Sequence, residues 1–391
     1  MTTPRTDTPL GPLPDFITDG TDGTDDIVRF VTPVGDTMWL VRGYALGRAV
    51  LTDKRFSRAR AALPGGPKFN DAEPAADSMM SMDGDRHARL RRIVSGAFST
   101  GRIAAMASDV ERLTDQYLDE IAAHGPGADL VAQLAAPLPL AVLCSLLGVP
   151  PEDSARFRDR VEVLFDITDD SPQDKARRRT ALATYMKDLV DRKRRQPQDD
   201  LLTALIGAHD RGALTTNELI TMGLTLLMAG YETTVGQLGL SVLSLLTDHD
   251  VYRELVARPE RIAPAVEELL RLNPATPLTF PRVAVQPVRL GNVTVQAGEA
   301  VMVAPLHGNR DATVFAEPET LRLTGHDTAH LTFGHGVHRC LGAPLARLQV
   351  RIVLEHLLRR FPTLRLAAVE EPVTWKEGMA VRGLSRLLVD W

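Results

Sequence analysis

Ten residues near the C-terminus, Phe333 to Gly342 (FGHGVHRCLG), set one cysteine in a loop rich in glycine and histidine that runs into the segment Ala343 to Phe361. That segment carries an apolar stripe at helical spacing, which predicts Cys340 just ahead of a helix N-terminus, where the macrodipole favours an anionic sulfur. Gly334, Gly336 and Gly342 let the chain close around the sulfur and bring backbone N–H donors to it. A shielded thiolate steadied by N–H groups is what an axial haem ligand requires. The residues by themselves also allow a buried structural cysteine, or one ligand of a zinc site drawing on His326, His330, His335 and His338. The zinc reading lacks the second cysteine of a C-x-x-C pair and a regular H-x3-5-H spacing.

The remaining periodicities define the frame around this loop. Ile27 to Val41 alternates apolar and polar residues about Gly35-Asp36, a hairpin signal. From Tyr44 the period is mostly helical, interrupted by a proline- and glycine-rich loop, Leu63 to Pro74. Helical patterning fills Ile103 to Asn273, with breaks at Gly125-Pro126, Pro137-Leu138-Pro139, Pro150-Pro151, Ser171-Pro172 and Gln196-Pro197. Strands return at Val288–Leu290, Val293–Val295 and Ala300–Val303. Thr215 and Glu218 form an S/T-x-x-E capping box that opens a helix to about Leu246, roughly 45 Å long. This apolar run approaches membrane-span length, but Glu232 and its threonines and glycines fit a buried helix of a large protein better.

The expectation is one mainly α unit over residues 1–391 with a minor β region, residues 1–26 being irregular, and no repeat or linker. A 391-residue chain that is 44% hydrophobic suffices for a large core. The formal charge of −5 gives no basic face for nucleic acid. Two cysteines supply no disulfide framework, so a reducing compartment and a cytoplasmic location are expected, with Cys144 a small buried hydrophobe. The N-terminus shows no charged-then-apolar leader pattern.

FGHGVHRCLG resembles the haem-binding signature F-G-x-G-x-H-x-C-x-G of the cytochrome P450 superfamily, soluble bacterial class, and three further motifs follow suit upstream. The resemblance implies that fold, with haem b held between a long distal helix and the helix after the cysteine loop. Cys340 is then the iron ligand, with Phe333, Gly334, Gly342 and Ala346 shaping its loop. Ala229-Gly230-Tyr231-Glu232-Thr233-Thr234 resembles the family's A/G-G-x-D/E-T-T/S motif. Small side chains at Ala229 and Gly230 make room for dioxygen and let the helix open locally, while Thr233 donates a hydroxyl proton and Glu232 relays protons. The residues also permit Thr233 bonding back one turn and Glu232 in a buried ion pair.

Glu268 and Arg271 resemble the E-x-x-R brace beneath the haem. Thr320 stands where that network commonly has an arginine, leaving Arg322 or Asn309-Arg310 as substitutes. His87 and Arg91 resemble the H-x-x-x-R contact to the haem propionates, joined by Arg282 and His338. The family implies dioxygen as co-substrate and electrons from NAD(P)H through a separate ferredoxin reductase and ferredoxin. The ferredoxin would be steered to a basic patch formed by Arg339, Arg347, Arg351, Arg89 and Arg92. A monomer acting on a small organic substrate, a secondary-metabolite intermediate free or tethered to a carrier, is expected, with no nucleic-acid or membrane partner. Its pocket is assigned to Met79, Met80, Met82, Met222, Leu226, Thr279, Phe280 and Met379, the first three as an adaptable lid. Hydroxylation or epoxidation is the expected chemistry; ring coupling, nitration, peroxygenase action and a non-enzymatic haem sensor or carrier are the alternatives.

Overall fold

In the computed structural model, residues 26–69, 75–150, 153, 172–324, 328–377 and 381–391 are described. Most of the expected N-terminal segment, part of the Leu63–Pro74 loop, His326 and Met379 lie outside them. The alternation about Gly35 does form a hairpin: β1 (Ile27–Val31) pairs antiparallel with β2 (Thr37–Val41). Helix α1 (Tyr44–Thr52) follows, then β3 (Phe56–Ser57). Strand β2 runs parallel to β8 (Ala300–Val303), and β8 pairs through β5 (Arg282–Ala284) with β3, so chain ends far apart in sequence share one sheet. β6 (Val288–Leu290) and β7 (Val293–Val295) form a separate hairpin, within the bounds the sequence sets.

Helices carry the main core. Helix α2 (Gly84–Ser95), α3 (Ala107–His124), α4 (Pro137–Leu147), α5 (Thr216–Thr247), α6 (Ile262–Leu272) and α7 (Ala343–Arg360) bury a continuous apolar cluster. Helix α5 opens with the expected capping box: Thr215 Oγ1 accepts from the Glu218 N–H at 3.1 Å, and Glu218 Oε2 accepts from the Thr215 N–H at 3.0 Å. At the standard rise its 32 residues span about 48 Å. Leu227, Tyr231, Val235, Leu238 and Leu245 on it are all buried. Among the described residues, no helix is long and apolar enough to cross a membrane.

Two features differ from the sequence reading. Pro137 does not break a helix but starts one, since a first-turn proline lacks only an N–H that has no intrahelical partner there. A second sheet, which strand patterning did not reveal, joins β4 (Ala128–Asp129), β9 (Arg365–Leu366), β10 (Val373–Trp375) and β11 (Leu384–Asp390). Helix α5 closely meets the chain just ahead of β11: a Cβ on Gly236 would lie 2.3 Å from the Arg382 carbonyl oxygen. Only glycine permits that approach.

Candidate active site

The loop entering α7 is held by backbone bonds before any side chain acts. Cys340 N–H donates to the Phe333 carbonyl at 2.8 Å, and Gly334 and Gly336 take left-handed φ of 67° and 73°. Gly336 is required twice over, because its Cβ would also sit 2.6 Å from the Leu51 carbonyl at the end of α1. Gly342, by contrast, has an ordinary φ of −78°. Its contribution is its N–H, which with that of Ala343 bonds to the Cys340 sulfur. Ala346 N–H accepts no such role; it donates to the Gly342 carbonyl in the first turn of α7.

Cys340 combines accessibility with depth. Its residue surface is exposed, yet burial is the largest influence on its thiol and raises its pKa. The N–H groups of Gly342 and Ala343 and the charges of Arg91 and Arg339 pull the other way. Sulfur so placed, at the start of an 18-residue helix and beside cations, is poised to be a thiolate once a cation binds it. Among the described residues, no group of histidine, cysteine, aspartate or glutamate side chains is arranged to hold a metal ion, so the zinc reading gains no support.

The loop is braced from below by α6. Arg271 grips Glu268 bidentately, Nε to Oε1 and Nη2 to Oε2 at 2.8 Å each, with side chains only 1% and 2% exposed. Arg271 Nη1 also donates to the carbonyls of Asn309 and Pro318, and Nη2 to that of Thr320. The position expected to want an arginine thus serves through its backbone oxygen. Arg322 contributes its backbone N–H to Glu268 Oε2 at 3.2 Å, and Arg310 turns away to Glu319. Asn309 completes the brace: it donates to the Arg271 carbonyl and Thr332 Oγ1 and accepts from the Leu331 N–H at 2.6 Å. This couples α6 to the residues immediately preceding Phe333.

On α5, Ala229 is exposed and Thr233 half-buried, one turn apart on one face, while Leu227, Tyr231, Glu232 and Thr234 beside them are buried. The helix runs unbroken through the motif, and Thr233 Oγ1 donates back to the Ala229 carbonyl at 2.7 Å. Gly230 serves packing, since a Cβ there would lie 2.8 Å from Leu143 Cδ2 on α4. Glu232 is 1% exposed and paired with Lys376 Nζ at 2.6 Å, while its Oε2 has no hydrogen-bond partner. Lys376, the residue after β10, was not anticipated because nothing in its local sequence points to α5.

Basic and imidazole groups gather around the start of α2. His87 is buried, its ring 4.2 Å from that of His338. Burial, then the charges of His338 and Arg91, push the His87 pKa down to about 4. His338 Nε2 lies 3.4 Å from Asp83 Oδ1, and Asp83 Oδ2 accepts from Ser57 Oγ and the Ala59 N–H. Arg91 Nη2 donates to the Arg339 carbonyl at 2.7 Å, tying α2 to the cysteine loop. Arg282 is 5% exposed and its Nε has no hydrogen-bond partner. Such an orphaned buried cation calls for an anionic ligand. The donor set of Cys340, Arg91, Arg282, His87 and His338 therefore fits a haem with its two carboxylates. Arg58, also buried in this cluster, escaped the sequence reading because no motif marks it.

The expected pocket residues divide. Met79, Met82 and Met222 pack into the main core, whereas Met80 and Leu226 are half-buried. Burial of two of the three lid methionines removes them from a mobile lid. Thr279 is tied to β8 by bonds in both directions with Val303, and Phe280 is 58% exposed. The expected basic patch also loses members to local pairing. Arg347 is bidentate to Glu267 and stacks 4.5 Å from the Phe333 ring, Arg351 meets Glu355, and Arg89 meets Glu218. Arg92 and Arg339 stay exposed.

Comparison with known proteins agrees with this architecture. The family model described as Cytochrome P450 matches residues 262–383. The chain is 42% identical over 366 residues to nocardicin C N-oxygenase of Nocardia uniformis subsp. tsuyamanensis, spanning 93% of this chain and 92% of that protein. It is 39% identical over 370 residues to mycinamicin IV hydroxylase/epoxidase of Micromonospora griseorubida, spanning 94% and 93%. Among solved structures, HinD with NMFT and NO superposes with a TM-score of 0.89 at 42% identity, covering 93% of each chain. The mixed-function P450 MycG superposes with a TM-score of 0.86 at 39% identity, covering 94% of each.

Proposed function

Because the chain belongs to the cytochrome P450 family and is a monooxygenase of that family, we propose that it inserts oxygen into a secondary-metabolite intermediate by hydroxylation or epoxidation. Relatives named for N-oxygenation of nocardicin C and for hydroxylation and epoxidation of mycinamicin IV support a natural-product substrate. The observation that carries the reading is the Cys340 sulfur, bonded by the Gly342 and Ala343 N–H groups and flanked by Arg91. When bound, the haem supplies the activation of dioxygen.

The chain's own residues then have separable tasks. The N–H groups of Gly342 and Ala343 and the charge of Arg91 stabilise negative charge on Cys340. Arg91, Arg282, His87 and His338 receive the two carboxylates and fix the ring's orientation. Thr233 holds a proton at Oγ1, now directed at the Ala229 carbonyl, and swings it to the reacting side by rotation about χ1. Glu232 passes protons toward Thr233, with Lys376 holding the carboxylate in place. Met80, Leu226 and Phe280 line the substrate's side and exclude water. Electrons come from NAD(P)H through a ferredoxin and its reductase, docking near Arg92 and Arg339.

The test has two parts. Carbon monoxide added to the reduced protein should give a thiolate-type spectrum that Cys340→Ser abolishes; an unchanged spectrum in the variant rules out the ligand assignment. Turnover with NAD(P)H, ferredoxin and reductase on a panel of natural-product scaffolds should yield oxygenated products, whereas a haem sensor or carrier would yield none.

A further inference from the structure

Arg58 stands beside Arg282 in an electrostatic arrangement that the motifs account for only at Arg282. Both are buried, at 8% and 5% exposure, and they lie close enough for Arg282 to depress the Arg58 pKa in addition to burial. Arg58 is held rigidly: Nε donates to the Met80 carbonyl at 3.0 Å, Nη1 donates to the Pro281 carbonyl, and the guanidinium lies 4.9 Å from the Phe280 ring centre. Neither guanidinium forms an ion pair among the described residues, and Arg282 Nε bonds to nothing. Asp83 is the carboxylate both sense, but its oxygens are already taken by Ser57 Oγ, the Ala59 N–H and His338.

Two desolvated cations with one shared, already engaged anion leave excess positive charge in a low-dielectric interior. A buried charge without a partner is costly, and a carboxylate placed between the two forks relieves it. We propose that Arg58 joins Arg282, assigned above to a haem carboxylate, in binding a carboxylate that the chain itself does not supply. Two sources share this chemistry: a haem propionate, given the neighbouring His87 and His338, and a carboxylate of the substrate, given the contact of Arg58 with Phe280 and Met80. Arg58 is the specific element, because its side chain bridges the loop bearing Met80 and the segment leading into β5. The first source rests on the haem reading above, and the second extends it to substrate choice.

Esterification removes the carboxylate charge and leaves the scaffold, so it isolates the contact. Wild-type and Arg58→Gln proteins would be loaded with haem or its dimethyl ester, and haem transfer to apomyoglobin timed. They would also be titrated optically with scaffold acids and their methyl esters. If the propionate is bound, Arg58→Gln releases native haem at least about tenfold faster and makes the haem reduction potential more negative, and the difference vanishes with the dimethyl ester. If the substrate is bound, haem release is unchanged and the variant loses a roughly tenfold preference for acid over ester. Equal effects on acid and ester forms in both titrations, as expected were Arg58 only bracing the Met80 and Pro281 carbonyls, overturn the proposal. Should Arg58→Gln not accumulate, Arg58→Lys closes the same cycle, since any loss it shows must likewise disappear with the ester. A thiolate-type carbon monoxide spectrum in each protein keeps failure of this proposal distinct from failure of the haem assignment.

Discussion

Replacing Arg271 by methionine isolates the brace beneath the cysteine loop. The substitution keeps much of the side-chain volume but leaves the Glu268 carboxylate, 2% exposed, without its bidentate cation. Breaking a buried pair from one side costs about 3–5 kcal/mol, because a charge is left in a medium that cannot solvate it. The carbonyls of Asn309, Pro318 and Thr320 lose a donor as well, adding about 1 kcal/mol each where water cannot replace it. Against a total stability of about 5–15 kcal/mol, such a loss is a third or more of the whole. The assay is equilibrium urea unfolding of wild type, Arg271→Met and the pair variant Glu268→Leu/Arg271→Met, followed by far-ultraviolet circular dichroism. Arg271→Met should move the midpoint furthest. The pair variant should recover roughly 1–4 kcal/mol, since it removes the stranded charge together with its partner. A cost below about 1 kcal/mol for Arg271→Met, typical of an exposed ion pair, would refute the argument. So would a pair variant less stable than the single one.

Three further outcomes follow from the same geometry. Lys376→Met leaves buried Glu232 without its cation, so stability should fall by about 3 kcal/mol and peroxide released per NAD(P)H consumed should rise; unchanged values for both would mean that the pair has no role. Gly336→Ala faces a left-handed φ of 73° and a contact of 2.6 Å with the Leu51 carbonyl, so it should cost at least about 2 kcal/mol and displace the Cys340 loop, seen as loss of the thiolate-type spectrum. At Glu267, burial raises the carboxyl pKa, but hydrogen bonds from His330 and Arg347 and their charges outweigh it and hold the value near 2, below the ordinary 4.5. A depressed carboxylate pKa stabilises the fold above about 4.5, and that contribution is lost as pH falls toward 2; Glu267→Gln should flatten the acid limb of a stability profile over this window.

Local chemistry that needs only neighbouring residues was legible in the chain. The Thr215 capping box, the β6–β7 hairpin, the helix after Cys340 and the positive-φ glycines of its loop each follow from short-range sterics and hydrogen bonding, and each stands where the spacing puts it. The Glu268/Arg271 pair was equally readable, because a spacing of three places both side chains on one helix face. Its completion was only partly so: Asn309 and Arg322 stood among the candidates, and both contribute, but the carbonyls of Pro318 and Thr320 act as backbone groups, which leave no mark in a motif search.

Tertiary structure alone decided the charge partners. Lys376 reaches Glu232 across 144 positions, Arg282 nears Arg58 through β5 and β3, and Arg347 turns to Glu267 instead of joining a basic patch. The sequence by itself determined which residue types stand in the cysteine loop, along the Ala229 to Thr234 stretch of α5 and in the brace. It could not determine whether a given arginine or glutamate is buried, paired or left with an open valence. Burial and pairing depend on what the rest of the chain brings within a few ångströms, and the energy of a charge is set by that surrounding medium more than by its own position in the chain.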